Sequence, residues 1–300
     1  GCGGALPRGP VKPSGRDWGL VFPAQALLTV LLFAPSLYVF WLSLTRSTYG
    51  QSPVWVGLAN YATVLSDPYF WTATLNTAIV VNAVVFGEFL LALAVAMLFA
   101  GWIPWRRVMI AIVLAPYAIS EVVAVVIFKY MTEPYAGPVT LALQALGLPT
   151  LDWAVEPSHG LAMVILLSIW HHLPFTFILL YTALLGIPRE LYEAAQVDGA
   201  GAWRKFRYIT VPLLVPAMLV ALVFRYIFAF RIFSEVWLLT GGGPARTTEV
   251  LAVYLYRQAF RYSDFGAAAA TGWLMLIASL LMGSWYIWQM YRRMFAHGRT

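Results

Sequence analysis

Long apolar segments alternate with short polar ones along the whole chain. Several of the apolar segments exceed the roughly 20 residues that an α-helix needs to cross a bilayer. The pattern predicts an all-α membrane protein in which one compact domain, residues 18–291, holds six transmembrane helices between two tails, 1–17 and 292–300. The predicted spans cover residues 18–44, 75–100, 108–128, 160–185, 211–239 and 266–291.

The composition agrees with a membrane protein. Hydrophobic residues make up 61% of the chain and charged residues 11%, whereas a soluble domain carries about 25% charged residues. The single cysteine, Cys2, excludes an internal disulfide framework. The net charge of +6 does not indicate a nucleic-acid partner, because the basic residues lie mostly in the loops and tails.

The distribution of Lys and Arg predicts the orientation of the chain. With both termini inside, the inner segments hold 12 of the 19 basic residues and the outer segments hold five. Cytoplasmic loops of membrane proteins carry the excess of Lys and Arg. The bias therefore places both termini and the loop at 188–210 in the cytoplasm.

That loop is the longest polar interruption between two spans. Pro188 suits a first helical position, since its missing N–H needs no partner there. Glu190 and Glu193 favour the positive end of the helix dipole, and Gly199 can take the left-handed conformation that ends a helix. A second short helix follows, and it contains Arg204, Lys205 and Arg207. The sequence predicts a helix, a stop and a second helix.

The same loop resembles the EAA loop of ABC importer permeases. The family pattern is Glu-Ala-Ala, three residues, Gly, nine residues, then Ile-x-Leu-Pro. This chain has Glu193-Ala194-Ala195, then Asp198-Gly199, then Ile209-Thr210-Val211-Pro212, with Val211 in place of Leu.

Two outer segments resemble carbohydrate permeases of that class. The first contains Gly57-Leu58, Asn60-Tyr61, Asp67-Pro68 and Asn76-Thr77 ahead of the second core helix. The second is similar to the outer loop in the first of the two permeases of sugar and glycerol-3-phosphate importers, the maltose-permease F-type subunit. Its four loop residues are Gly241, Gly242, Gly243 and Pro244, which mark a turn.

The resemblance runs from Gly57 to the end of the sixth span and implies the six-helix core of a type I ABC importer permease (MetI-like). It implies a second homologous permease, two ABC ATPase subunits and an extracytoplasmic solute-binding protein, assembled among the lipids of a bacterial or archaeal inner membrane. It also implies that the ATPases are coupled through Glu193, Ala194, Ala195, Asp198, Gly199, Arg204 and Pro212.

No Gly-rich loop with Gly-Lys-Ser/Thr occurs in the chain. We therefore expect no enzymatic activity and no cofactor in this chain, with ATP and Mg²⁺ bound by the partner ATPases. His171 and His172 are adjacent, so on a helix they point about 100° apart and do not face one metal ion.

Polar groups inside the spans are the candidates for a substrate pathway, because a charge at mid-bilayer costs about 2.5 to 3.5 kcal/mol and usually faces a bundle interior. Two ion pairs are alternatives to substrate contact: Arg231 with Glu235, four residues apart, and Glu121 with Arg225. Ordinary interhelical hydrogen bonds are the alternative for the uncharged groups. The candidates are Asn82, Glu121, His171, Tyr181, Arg225, Tyr226, Arg231 and Glu235.

The substrate stays open between a di- or oligosaccharide and glycerol-3-phosphate or another polyol phosphate. A self-contained secondary transporter is a rival, but it would need inverted repeats or a proton-relay carboxylate, and no convincing internal repeat is visible. An integral-membrane enzyme is the second rival, and no nucleophile or metal constellation stands out for it.

Overall fold

A computed structural model describes residues 15–101 and 103–295, apart from the side chains of residues 15–21 and of several residues beyond 285. Of the predicted tail at 1–17, residues 1–14 lie outside the described residues, and residues 15–17 belong to the first helix. The last helix continues past the predicted end of the sixth span, to Phe295.

The predicted all-α membrane fold is confirmed. Among the described residues, five helices are long and apolar enough to cross a membrane, and a bent pair of shorter helices makes a sixth candidate when it is counted as one broken span. The helices in chain order are α1 (Gly15–Ser43), α2 (Ala59–Ser66), α3 (Pro68–Ala100), α4 (Arg106–Leu114), α5 (Glu121–Met131), α6 (Pro138–Ala145), α7 (Pro157–Leu185), α8 (Arg189–Val197), α9 (Ala202–Lys205), α10 (Val211–Ala229), α11 (Ser234–Leu239), α12 (Leu251–Tyr256) and α13 (Phe265–Phe295).

The third predicted span is not one continuous helix. A 3₁₀ turn at Ala115–Ala118 follows α4, and the backbone is extended at Ile119 and Ser120 before α5 begins. The two halves meet at an angle of 102°. Pro116 lies in this turn and donates no backbone hydrogen bond, which favours a break there.

The fifth predicted span is also divided. The helix α10 ends at Ala229, and α11 begins at Ser234 after a turn. Arg231 lies in that turn, so Arg231 and Glu235 do not share a helical face. The ion pair considered for these two residues does not form among the described residues.

The core is built on the long helices α3 and α7. Val80 and Val84 of α3 pack with Val164 and Leu167 of α7 and with Val236 of α11 in one apolar cluster. A second cluster nearer the other end of the two helices joins Phe89, Ala92, Ala96 and Phe99 to Phe177, Leu180 and Tyr181. By contrast, α1 packs on α13 and leaves most of its apolar side chains exposed, as expected of a face that meets lipid.

A small two-stranded hairpin follows α1, with β1 (Thr45–Arg46) antiparallel to β2 (Val54–Trp55). The side-chain amide of Asn60 in α2 donates to the carbonyl oxygens of Ser43 and Thr45, both at 2.8 Å. The helix α3 begins at Pro68, seven residues before the predicted start of the second span, because Asp67 caps it by accepting a hydrogen bond from the Tyr69 N–H.

Candidate functional site

The two helix breaks meet at one polar cavity of about 500 Å³. Irregular backbone is tolerated in a membrane protein where it is buried or lines a cavity, and both breaks satisfy that condition. The walls come from α3, α7 and α10, from the turn before α5, and from the start of α11. The lining residues include Val80, Val84, Tyr117, Glu121, Ser168, His171, His172, Phe175, Arg225, Arg231, Ser234 and Glu235.

The structure brings five of the eight predicted pathway residues to this cavity. Arg225, His171 and Glu235 are buried in its wall, whereas Glu121 is half-buried and Arg231 is exposed. Glu121 starts α5, His171 lies midway along α7, and Arg225 lies near the end of α10. The other two lie in the turn before α11 and in its first turn.

Arg225 pairs with Glu88 of α3, not with Glu121. Its Nε and Nη2 atoms both lie 2.7 Å from Glu88 Oε2. The other carboxylate oxygen of Glu88 accepts a hydrogen bond from the Thr176 hydroxyl of α7. The fully buried Glu88 carboxylate therefore joins three helices and balances the charge that Arg225 brings to the cavity wall.

Glu121 has a different neighbour. Its carboxyl lies beside that of Glu235 in the cavity wall, across the contact between α5 and α11. The two breaks thus place two acidic side chains side by side in the cavity wall, each in the first turn of its helix.

The remaining three predicted pathway residues line no part of this cavity. The Tyr226 hydroxyl donates to Asn82 Oδ1 at 2.8 Å and links α10 to α3. Tyr181 stacks on Phe177 and accepts a hydrogen bond from the Arg106 guanidinium. Interhelical hydrogen bonding, the alternative weighed for these groups, describes their positions.

Ser168 is a cavity residue that sequence reasoning missed. It is buried in α7, one turn before His171 and His172, and its backbone carbonyl lies 3.1 Å from His172 Nδ1. The signal was present in the sequence, since residues three and four apart share a helical face.

The loop at 188–210 has the predicted form of a helix, a stop and a second helix. The first helix, α8, begins one residue after Pro188, and Gly199 takes a φ of +74° where it ends. Glu193, Ala194, Asp198 and Gly199 are exposed, and Ala195 is half-buried. Arg204 lies in α9, and Pro212 in the first turn of α10.

One contact ties α8 to the next span. The Tyr192 hydroxyl lies 2.9 Å from the Thr210 hydroxyl, directly before α10 begins. Because α10 carries Arg225 into the cavity wall, α8 is connected to the cavity through a single transmembrane helix.

The predicted turn at 241–244 is also present. Gly241 and Gly242 take φ values of +62° and +80°, a region that favours glycine. Arg257 Nη2 donates to the Gly241 carbonyl at 2.6 Å, and the Thr248 hydroxyl donates to that of Gly243 at 2.7 Å. Pro244 accepts a backbone hydrogen bond from Thr247.

An ionic cluster fixes the loop at 241–250. Arg246 Nε and Nη2 donate to the two carboxylate oxygens of the buried Glu249 at 2.6 and 2.8 Å, and Arg257 Nε lies 3.4 Å from Glu249 Oε2. The hydrogen bonds to Glu249 raise the pKa of Arg246. Asn76 of α3 donates to the carbonyls of Thr247 and Glu249, so the two segments that the sequence predicts to lie outside meet in space.

A neighbouring contact ties the start of α3 to α12. The Tyr254 hydroxyl donates to Asp67 Oδ2 at 2.8 Å. Burial, together with that hydrogen bond, raises the pKa of Tyr254. Asp67 therefore caps α3 and holds α12 against it.

The known proteins that this chain resembles are all membrane components of transport systems. The family described as "Binding-protein-dependent transport system inner membrane component" matches residues 106–292. The "Trehalose/maltose transport system permease protein MalF" of Thermococcus litoralis is 32% identical over 262 residues, which are 87% of this chain and 88% of that protein. The "Inner membrane ABC transporter permease protein YcjO" of Escherichia coli is 33% identical over 267 residues, 86% of this chain and 88% of that protein.

A solved structure has the same fold. It is described as "Crystal structure of bacterial alginate ABC transporter in complex with alginate pentasaccharide-bound periplasmic protein". One of its chains superposes with a TM-score of 0.81 at 24% identity, over 93% of this chain and 96% of that one.

Proposed function

This chain belongs to the family of binding-protein-dependent transport system inner membrane components, and from that premise we propose that its central cavity carries a di- or oligosaccharide across the membrane. It is an inner-membrane, multi-pass permease of the carbohydrate-uptake type of ABC transporter, and such permeases are not catalytic. The observation that carries the proposal is the polar cavity at the two helix breaks, whose size falls within the roughly 300–1,000 Å³ of small-molecule sites.

The charges around the cavity favour a saccharide over a polyol phosphate. A phosphate group calls for free cationic donors. Arg225 is engaged by Glu88, which leaves Arg231 as the cavity arginine without an ion pair among the described residues. Two further carboxyls, Glu121 and Glu235, lie in the same wall. The Thermococcus litoralis relative, a trehalose/maltose transport system permease protein, supports the same choice.

The proposal includes the partners that supply energy and substrate. A second homologous permease would complete the pathway, two ABC ATPase subunits would bind ATP and Mg²⁺, and a solute-binding protein would deliver the saccharide at the outer loops. The structural relative in complex with a periplasmic protein supports the last of these. Both termini and α8 face the cytoplasm in this arrangement, as the excess of inner Lys and Arg favours.

Coupling would pass through α8. Its exposed Glu193 and Ala194 would contact the ATPase. The short side chains of the segment would allow the ATPase surface to approach the α8 backbone closely. Movement of α8 would reach α10 through the contact between Tyr192 and Thr210, and hence the cavity wall at Arg225.

The test begins with purification of the chain from its native membrane in mild detergent. We expect a second permease, an ATPase and a solute-binding protein to accompany it, and the reconstituted complex to import one member of a sugar panel with ATP. Transport by the isolated chain without ATP would establish a secondary transporter instead, and product formation without transport would establish an enzyme.

A matched pair of variants locates the pathway. Ser234→Trp places a large ring in the cavity wall, whereas Ser158→Trp places it on an exposed position of α7. We expect Ser234→Trp to lower uptake at least tenfold while the complex still assembles, and Ser158→Trp to leave uptake unchanged. Equal uptake by the two variants would exclude this cavity as the pathway.

A further inference from the structure

Three buried polar atoms in the wall of the central cavity make no hydrogen bond within the described part of the chain. They are Glu235 Oε2, His171 Nδ1 and Ser168 Oγ. Their residues are only 4%, 6% and 1% exposed. Buried polar groups in native proteins are nearly always hydrogen-bonded, so this concentration of unsatisfied atoms in one cavity indicates a ligand that supplies the partners.

The chemistry of these atoms specifies the partner as a donor. His171 Nε2 lies 3.2 Å from the Ile119 carbonyl oxygen, which only accepts hydrogen bonds. Nε2 therefore carries the proton, and in the neutral imidazole Nδ1 is left as an acceptor. His172 repeats the arrangement, since its Nδ1 faces the Ser168 carbonyl. Together with the free oxygen of Glu235, the wall presents several acceptors.

The two arginines that line the cavity make no hydrogen bond to these three atoms. The Arg225 guanidinium is held by Glu88 through two contacts of 2.7 Å. Arg231 is exposed and forms no ion pair among the described residues. Arg225 and Arg231 carry two positive charges against three potential negative charges on Glu88, Glu121 and Glu235.

The neighbouring carboxyls of Glu121 and Glu235 add a charge requirement. Both side chains line one wall, and Oε2 of Glu235 has no partner among the described residues. Two carboxyls that share a site out of water do not both ionise unless a positive charge lies between them. A hydroxyl supplies one donor and no charge, whereas an alkyl ammonium supplies three donors and a positive charge.

We propose that the saccharide carried through this cavity bears a free amino group, and that Glu235 and Glu121 bind its ammonium while His171 Nδ1 accepts a further hydrogen bond from the same sugar. The inference rests on the function proposed above and narrows its substrate class to amino sugars. Ser168 adds a hydroxyl that both donates and accepts, next to the two histidines.

The test compares sugars that share one β-1,4-linked backbone and differ in charge. The assembled transporter, with its co-purified permease and ATPase subunits but without binding protein, is placed in lipid nanodiscs. Calorimetry then measures binding of the glucosamine dimer, of its N-acetylated form and of cellobiose. The variants are Glu235→Gln and Glu121→Gln, with Glu156→Gln as a matched control at an exposed position outside the cavity.

We expect the glucosamine dimer to bind at least tenfold more tightly than either uncharged sugar, which corresponds to about 1.4 kcal/mol. Glu235→Gln should reduce that ratio to about one, Glu121→Gln should reduce it in part, and Glu156→Gln should leave it unchanged. If Glu235→Gln fails to assemble with its partners, the Glu121→Gln ratio decides the matter.

Two results would overturn the inference. Equal or tighter binding of the uncharged sugars would reject the amino-sugar class and leave the saccharide permease intact. A preference for the amine that survives both glutamine variants would reject the carboxyl pair as its site. Binding of none of the three sugars, with import of a non-carbohydrate by the reconstituted complex, would reject the proposed function as well.

Discussion

Arg225 of α10 and Glu88 of α3 form a buried ion pair although they lie 137 residues apart in the chain. The Thr176 hydroxyl completes the environment of the Glu88 carboxylate from α7. The pair fixes the relative position of the three helices that form most of the cavity wall, and it keeps the Arg225 charge from acting as a free anion site.

The first prediction concerns this pair. Glu88→Gln leaves the Arg225 guanidinium buried without its counter-charge, and breaking a buried pair from one side costs about 3–5 kcal/mol. We expect a marked fall in the Tm of the purified transporter in detergent. The double variant Glu88→Gln with Arg225→Gln should lose clearly less than the sum of the two single variants, and strict additivity would show that the two residues are not coupled.

Gly199 provides the second prediction. Its φ of +74° costs a β-branched residue roughly 1–2 kcal/mol, whereas Asn tolerates that region well. A Cβ at this position meets no atom within 4 Å in the chain. Gly199→Val should therefore uncouple ATP hydrolysis from uptake, while Gly199→Asn should keep both.

The two variants separate backbone strain from crowding against a partner. Uptake by vesicles and ATP hydrolysis are measured on the same preparations. If Gly199→Asn loses as much uptake as Gly199→Val, the contact with the ATPase is sensitive to side-chain size and the strain explanation is wrong.

The sequence identified the long spans because hydropathy and length suffice for α3 and α7, but it did not locate the two helix breaks. Proline was an ambiguous signal. Pro23 and Pro35 lie inside the unbroken α1, and Pro174 lies inside the unbroken α7. Pro116 lies in a break. Tertiary contacts decide between these outcomes, since neighbouring helices can satisfy the carbonyl that a proline frees.

The composition of the site was likewise only partly predictable. Five of the candidate pathway residues do meet in one cavity, because an intramembrane charge is costly unless it faces the interior. Their partners were not predictable, since a sequence does not say which helices are neighbours. Arg225 pairs with Glu88, and Glu121 lies beside Glu235 in the cavity wall. The local form of the loop around Gly199 was predictable because its signals are confined to a few consecutive residues.

The third prediction concerns Glu249 in the loop at 241–250. The carboxylate accepts two hydrogen bonds from Arg246 and lies beside Arg257, and it is only 1% exposed. Hydrogen bonds to charged groups contribute about 1.5–3 kcal/mol each. Glu249→Gln should therefore loosen the loop at 241–250, with faster amide hydrogen exchange there and weaker docking of the binding protein.

The exposed Glu156→Gln variant is the control for that change. Amide hydrogen exchange measured by mass spectrometry should rise at residues 241–250 in Glu249→Gln but not in Glu156→Gln. Exchange in α7 should stay constant in both variants. Unchanged exchange at 241–250 would mean that the other hydrogen bonds of the turn, such as those that the Arg257 and Thr248 side chains donate to the carbonyls of Gly241 and Gly243, hold the loop without the ion pairs.

The fourth prediction compares two glycines of α13. A Cβ at Gly266 meets the Thr45 carbonyl oxygen and lies 2.7 Å from Asn60 Nδ2, so the hairpin and α2 leave no room for it. A Cβ at Gly283 meets nothing within 4 Å. Gly266→Ala should destabilise the protein by about 1–3 kcal/mol through overpacking, and Gly283→Ala should stabilise it by about 0.5–1 kcal/mol through helix propensity. Thermal unfolding in detergent measures both, and shifts of the same sign would contradict the close contact between Gly266 and Asn60.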